Sequence, residues 1–285
     1  MKVYKRKKRE KGSLLLIYAV LLFFAFLFLF PFLWNFISAS WGTAGTGEPS
    51  SSSLFDVKWM ANLEKLNEVL PDFWLNVFNT IFVSSLAAST QIFFCTMAGF
   101  AFARYDFKGR KLLFQFMLIT LAIPSFVNMI PFFRMMVFFR WTNTYLPLFI
   151  PGMANAFGIL YMTQFIRQGV PRELVEAARI DGLGEMQILL NICFPLVRPG
   201  LMLLGVFVFI YTWNDFVVAR VMLYEKSTYT LAVALSFLNL SPGTDFGVKM
   251  FANILNIVPM LVLFLFFSKK FFDYFDISYI VNREL

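Results

Sequence analysis

Long apolar runs separated by short basic stretches set the pattern of this chain. A helix that crosses a bilayer needs about 20 predominantly apolar residues. Six segments meet that length: 14–37, the charge-free stretch 75–103, 112–133, 141–166, the stretch 198–220 and 250–268. The fifth is interrupted only by Asp215, and the sixth is bounded by Lys249 and Lys269. The pattern predicts an all-α integral membrane protein with six transmembrane helices. Its organisation reads as a basic tail over 1–13, a first transmembrane helix over 14–37 and an extracytoplasmic connection over 38–74. A five-helix core over 75–270, with a polar loop at 168–200, and a C-terminal tail over 271–285 complete it.

The connection 40–71 is the longest on the outer side. Its part 42–53 is rich in Gly, Ser and Thr and turn-prone, and the stretch beginning Trp59-Met60-Ala61-Asn62-Leu63 predicts a short interfacial helix. Pro124 and Pro131 interrupt the third segment, and Pro147 and Pro151 the fourth. Proline removes a backbone donor and kinks a helix, which membrane helices tolerate when neighbours re-satisfy the freed carbonyls. Such kinks suit a gated path and ordinary packing equally. The first segment is too long for the about 7–15 apolar residues of a cleaved signal, so a retained helix is expected. No tandem repeat and no separate soluble domain are visible.

Charge sets the orientation, because Lys and Arg concentrate in cytoplasmic loops. With the N-terminus inside, seven basic residues precede Leu14. Arg104, Lys108, Arg110 and Lys111 follow the second segment. Arg167, Arg172, Arg179 and Arg198 follow the fourth, and Lys269, Lys270 and Arg283 the sixth. Most of the 25 basic residues then lie in the cytoplasm, as do both termini. This distribution accounts for the net charge of +8 without a nucleic-acid partner. Composition agrees: 59% of residues are hydrophobic and 15% charged, against about 45–50% and about 25% in soluble domains. The 39 Phe residues read as lipid-facing and packing surface.

Histidine is absent, which removes the commonest general base and metal ligand. The two cysteines, Cys95 and Cys193, read as lone structural thiols rather than a disulfide or metal pair. No phosphate-cradling G-x-x-x-x-G-K-[ST] run and no H-E-x-x-H zinc motif occurs. No catalytic residue, metal site or bound cofactor is therefore expected.

The loop 168–200 carries the most information. Pro171 suits the opening of a helix, and the residues from Arg172 to Ile180 are strong helix formers of mixed charge. Asp181-Gly182 ends that helix, since glycine takes positive φ at a helix C-terminus. A second helix is expected over 185–192, with Pro195 and Pro199 opening the fifth segment. Ala177 and Ala178 offer a smooth spot where a partner backbone can approach, ringed by Glu173, Glu176 and Arg179. Periodicity alone fits both a docking knob and an amphipathic helix lying on the bilayer.

Within the spans, Thr80, Ser84 and Gln91 fall near one helical face, and Asn253 and Asn256 are one turn apart. They are candidates for a polar path, although small and polar residues also drive helix packing in membranes. Asn214 and Asp215 join them, and an intramembrane acid is a functional candidate by default. Asp215 also lies near the outer end of its segment, where headgroup water could solvate it.

Glu176-Ala177-Ala178, Asp181-Gly182, Pro195 and Pro199-Gly200 resemble the EAA loop of permease subunits of binding-protein-dependent ABC importers. Other stretches extend the resemblance: Ala103-Arg104-Tyr105-Asp106-Phe107-Lys108-Gly109-Arg110, Asn143-Thr144-Tyr145-Leu146-Pro147, and Trp213-Asn214-Asp215-Phe216. They are most similar to the carbohydrate-uptake branch, and within it to the maltose-permease-G-like partner. The resemblance implies a bacterial inner-membrane subunit with a cytoplasmic coupling helix between helices four and five. It implies as partners a second permease, two ATPase subunits carrying ATP and Mg, and an extracytoplasmic solute-binding protein. Glu173, Glu176, Ala177, Ala178, Arg179, Asp181, Gly182 and Pro195 would form the ATPase-coupling surface, and a carbohydrate or oligosaccharide would be the cargo. The C-terminal stretch from Phe271 lacks the family's Gly-rich basic tail. Rival readings are the same machine with another polar solute such as glycerol phosphate, a secondary transporter or channel, and a membrane-embedded enzyme. An anionic cargo would favour a basic path, and no intramembrane Lys or Arg supplies one.

Overall fold

The computed structural model describes residues 2–39, 59–241 and 243–275, with side chains at residues 14, 16–39, 59–124, 126–241 and 243–268. Among the described residues every regular element is helical. The chain divides into two units, one formed by 1–71 with 238–257 and the other by 72–237 with 258–285.

In the first unit, α1 (Lys2–Ala39) is a single 38-residue helix with Pro31 inside it. Its apolar part, Leu16–Ala39, is 24 residues long and has no share of its most apolar stretch buried. So much uncovered Phe and Leu is stable only against lipid or another chain. The predicted interfacial helix is present as α2 (Trp59–Val69). Asn62 Nδ2 donates to Ala39 O at 2.8 Å, Lys65 pairs with Asp245 at 2.5 Å, and the Trp59 ring meets Phe36 edge-on at 4.9 Å. The connection at 42–53 lies outside the described residues.

The second unit is organised by α3 (Phe73–Arg104), a 32-residue helix. The segments expected at 112–133 and 141–166 are each broken. The third becomes α4 (Arg110–Thr120), a 3-10 turn Ser125–Asn128 and α5 (Met129–Phe138). The fourth becomes α6 (Leu146–Phe149) and α7 (Ala156–Gly169). The prolines explain the breaks. Pro124 is extended, with ψ 130°, where α4 has ended. Pro147 sits at the start of α6, where its missing N–H costs nothing. Pro131 lies in the first turn of α5 and leaves that helix intact. Among the described residues three helices are long and apolar enough to cross a membrane, α1, α3 and the last, and the bent pair 185–196 with 198–213 passes the same test as one span.

After α7 come α8 (Arg172–Ile180), α9 (Glu185–Ile188), a wide π turn over Leu189–Cys193, and α10 (Phe194–Leu196). The helix expected over 185–192 therefore widens after one turn. Pro195 has no N–H for the carbonyl four residues back, which favours such a local rearrangement. An 85° bend leads into α11 (Arg198–Trp213). Then follow α12 (Val217–Met222), α13 (Leu231–Leu240) and α14 (Phe246–Phe275), which carries Pro259 without breaking.

One core joins α3, α7 and α11 with the loop. Cys95, Phe100 and Ala103 pack with Ile159, Met162 and Ile166 and with Leu201, Leu204 and Val208. Val175, Ala178, Ile188, Leu189 and Cys193 belong to the same cluster. Helices α3 and α7 touch at Gly99, where a Cβ would stand 2.9 Å from both Met162 Cβ and Thr163 N. Small residues permit such backbone approach between membrane helices. Cys95 and Cys193 are both buried free thiols.

Candidate functional site

The loop after α7 is built by local rules. Helix α8 begins at Arg172, with Pro171 as its flanking residue. Glu173 in its first turn and Arg179 in its last complement the helix dipole. Leu183 N–H donates to Ala178 O and Gly182 N–H to Arg179 O, both at 3.0 Å. That paired closure is the Schellman motif, and it requires the left-handed residue that Gly182 supplies at φ +83°. A Cβ at Gly182 would meet nothing within 4 Å, so only backbone conformation demands glycine there. Gly184 N–H then donates to Gln187 Oε1 at 2.9 Å as α9 starts.

Helix α8 has two faces. Val175 and Ala178 are buried in the core. Glu173, Glu176, Ala177, Asp181 and Pro195 are exposed. Ile180 is 86% exposed at the tip, an apolar side chain offered to solvent or a partner. The expectation that Ala177 and Ala178 together form an open smooth spot is corrected here. Ala178, 5% exposed, faces its own core because it lies three positions after buried Val175, on the same helix face. Ala177 alone is presented outward.

The loop is also clamped to the end of α3. Arg104 Nη2 donates to Ile166 O at 2.7 Å, to Arg167 O at 3.1 Å and to Val170 O. Those carbonyls lie at the C-terminal end of α7, where the intrahelical donors run out. The Tyr105 hydroxyl donates to Glu185 Oε2. Arg179 Nε donates to Glu185 Oε1 at 2.8 Å, and its guanidinium lies 5.2 Å from the centre of the Tyr105 ring. Burial, and then the Glu185 carboxylate, push the Tyr105 phenol up to about 12. The Glu185 bond, first, holds the Arg179 guanidinium above its usual value. Between these groups a cleft of about 340 Å³ opens, lined by Arg104, Tyr105, Asp106, Arg172, Val175, Glu176 and Arg179. The sequence pointed to Glu176 and Arg179 in this cleft. It gave no role to Arg104, Tyr105 or Glu185, although the run Arg104-Tyr105-Asp106 holds a cation, a phenol and an acid at the end of an apolar helix.

The candidate path residues fall in different places. Thr80, Ser84 and Asp215 line one narrow cavity with Thr212 and Thr230, between α3, α6, α11 and α12, closed in this structure to a water molecule. Thr80 Oγ1 donates to Asn76 O and accepts from Leu231 N–H, each at 2.7 Å. Asp215 Oδ1 accepts from Val218 N–H at 3.2 Å. The Ser84 and Thr230 hydroxyls are buried without a partner among the described residues. Gln91 is engaged elsewhere: its Oε1 accepts from Asn155 Nδ2 at 2.9 Å, and Asn155 Oδ1 accepts from Gly158 N–H at the start of α7. Asn214 is exposed and donates to Ile210 O at 2.8 Å. Asn253 and Asn256 are half-buried on α14 in the first unit. Periodicity had not drawn attention to buried Asn76 and Asn79, which donate to Tyr229 O and to the carbonyls of Lys226 and Ser227. They fasten the 226–230 turn to α3. Among the described residues no cluster of His, Cys, Asp and Glu could hold a metal ion.

The apolar spans and the clamped helix–turn–helix loop define a helical membrane protein. The chain belongs to the family described as the binding-protein-dependent transport system inner membrane component, whose model matches residues 91–276. It is similar to the arabinooligosaccharide transport permease AraQ of Halalkalibacterium halodurans, at 32% identity over 199 residues, covering 70% of this chain and 71% of that one. The melibiose/raffinose/stachyose import permease MelC of Bacillus subtilis is 32% identical over 195 residues, 68% of this chain and 71% of MelC. A bacterial ABC transporter involved in importing the acidic polysaccharide alginate has a chain that matches in fold, with a TM-score of 0.78. The match has 24% identity and covers 89% of this chain and 95% of that one.

Proposed function

We propose that this chain forms one side of the translocation path of an ATP-driven carbohydrate or oligosaccharide importer. In this reading a second permease supplies the other side, and two separate ATPase chains bind ATP and Mg. An extracytoplasmic solute-binding protein delivers the sugar. The cargo class rests on the relatives, whose names specify arabinooligosaccharides, melibiose, raffinose and stachyose. Six spans are proposed: α1, α3, α4 with α5, α6 with α7, α11 with α12, and α14, with both termini in the cytoplasm.

The observation that carries the mechanism is the two-faced α8. Its exposed side offers Glu173, Glu176, Ala177 and Ile180, and its buried side, Val175 and Ala178, is part of the α3–α7–α11 core. An ATPase that grips the outer side moves a body already packed to the spans. ATP and the loaded binding protein then bias the machine between inward-facing and outward-facing states through their differential affinity for the two. The Thr80–Ser84–Asp215 cavity, with its unsatisfied hydroxyls, is proposed as part of the polar lining.

The test is co-expression with the ATPase and permease partners, with Glu176→Lys and Gly182→Leu introduced singly. Both variants should insert in the membrane yet lose ATPase recovery or substrate-stimulated ATP hydrolysis. If both assemble and stimulate hydrolysis as the parent does, α8 is a surface helix and the coupling role is wrong.

A further inference from the structure

Beside the coupling loop lies a second, basic cleft that this role does not use. It opens between the first turn of α4 and the C-terminal end of α7 and has a volume of about 810 Å³. Arg110, Lys111 and Arg167 line it together with the rings of Phe107 and Phe114, and no carboxylate is among the lining residues. The Arg167 guanidinium sits 5.8 Å from the centre of the Phe114 ring. Arg110 is bonded to Asp106 at 2.5 Å, but Asp106 is 77% exposed, and exposed pairs of this kind hold weakly. Among the described residues no acid pairs with Lys111 or Arg167.

The charge does not stand alone. Helix α4 continues from these cations into an uncovered apolar surface: Leu112 is 72% exposed, Leu113 53% and Phe116 66%. A soluble anion would use the cations and leave that surface bare. An amphiphile with an anionic head and hydrocarbon tails matches both halves. Basic pockets at the ends of membrane helices have this complementarity to phospholipid headgroups.

We infer that this cleft binds the headgroup of an anionic phospholipid, with the phosphodiester on Lys111 and Arg167 and the acyl chains along α4. The inference rests on the reading of α4 as membrane-embedded. Bound there, the lipid would stand between α4 and the end of α7, on the side chain of Arg167, whose own carbonyl is one of the three in the Arg104 clamp, and so beside the loop that α8 begins.

The test uses the full chain with its co-purifying partners in nanodiscs of phosphatidylglycerol or phosphatidylcholine, followed by mass spectrometry of the intact complex. The parent should retain phosphatidylglycerol above the phosphatidylcholine level. Removing one surface cation weakens anionic-lipid attraction about fivefold, so Lys111→Gln with Arg167→Gln should weaken retention about 30-fold. The charge-preserving pair Lys111→Arg and Arg167→Lys should keep it, which separates loss of charge from loss of fold. Equal retention by the glutamine variant, or equal retention of phosphatidylcholine by the parent, overturns the site. Displacement of the lipid by millimolar inorganic phosphate would make it a free-anion site and overturn the lipid assignment. Retention requires neither ATP nor sugar. A complex that keeps phosphatidylglycerol but fails to transport counts against the importer reading alone, and one that transports but retains none counts against this site alone.

Discussion

Replacing Arg104 should test how much its guanidinium contributes to holding the loop after α7 against α3. Its Nη2 reaches three main-chain carbonyls at the end of α7, those of Ile166, Arg167 and Val170. Hydrogen bonds from a charged donor contribute about 1.5–3 kcal/mol each when well formed. Several factors lower the sum here. The bonds share one nitrogen, the side chain is half-exposed, and Nε is buried without a partner among the described residues. A net loss of about 2 kcal/mol on Arg104→Ala follows, the low end for truncating one partner of a charged bond. For a chain of this size that corresponds to a fall in Tm of about 4–8 °C. Arg104→Lys should recover part of it, because an ammonium keeps the charge but lacks the planar fork.

The functional consequence is larger than the stability change. Val170 and Pro171 lead directly into α8, so the freed carbonyls loosen the hinge between α7 and α8, the helix proposed to dock the ATPase. Arg104→Ala should therefore depress ATP hydrolysis stimulated by the loaded binding protein more than basal hydrolysis. The assay is the ratio of the two rates in proteoliposomes, alongside thermal unfolding of the purified complex. An unchanged ratio together with a Tm within about 1 °C of the parent, half of what even 1 kcal/mol should produce, would refute the clamp.

Three further outcomes are expected. Tyr105→Phe removes the donor to Glu185 and should lower the stimulated-to-basal ratio while leaving the complex assembled. Because the phenol's ionisation is raised to about 12, the bond's contribution is fully present below the ordinary phenol value of about 10 and is lost only as pH rises through the raised value. The Tyr105→Phe deficit should accordingly be constant from neutral pH to about pH 10, and a deficit that vanishes by pH 9 would contradict the assignment. Gly99→Val places side-chain atoms where Met162 Cβ and Thr163 N leave only 2.9 Å. Overpacking of this kind costs about 1–3 kcal/mol, to be read as reduced yield and Tm of the folded chain, and an unchanged Tm would show that α3 and α7 separate freely. Asp215→Asn keeps the acceptor for Val218 N–H but removes the charge beside Ser84 and Thr230. Sugar uptake should fall while complex recovery stays constant, and unaltered uptake kinetics would remove Asp215 from the path.

Much of this architecture was legible because membrane helices advertise themselves by length and hydropathy. The spans at 14–37, 75–103 and 250–268 lie within α1, α3 and α14. The turn at Asp181-Gly182 was legible because only a left-handed residue closes a Schellman motif, and glycine adopts it without strain. The breaks after α4 and α6 were harder to place. Proline marks where a helix is weakened but not whether neighbours restore it, and Pro131, Pro31 and Pro259 remain within helices while Pro124 does not. The burial of Ala178 was hidden for a similar reason. Alanine is small enough for either face, so its orientation follows from Val175, three residues earlier, and from the core that α3 and α7 provide.

Polar contacts across the chain were the least legible, and they decide how the site works. Arg104 and Val170 are 66 positions apart, and Tyr105 and Glu185 are 80 apart. No local pattern couples such residues. Their chemistry nevertheless constrains them. A cation at the end of a long apolar helix cannot retreat into lipid and must find water or carbonyls, and the C-terminal end of α7 offers them: Ile166 O, which also accepts from Val170 N–H, and the Arg167 and Val170 carbonyls beyond it, where helical donors run out. The same logic explains why Gln91 pairs with Asn155. A buried amide must be paired, and Asn155, which caps the start of α7, is its partner. Ser84 and Thr230 have no such partner among the described residues, and they share a cavity with Asp215. A buried hydroxyl left unpaired costs about 1–3 kcal/mol. That cost is tolerable if the hydroxyls gain partners in another state of the transporter. On the proposed path, sugar hydroxyls or water entering between α3 and α12 would supply those partners, and loss of uptake in Ser84→Ala with no loss of Tm would be the result expected of such a role.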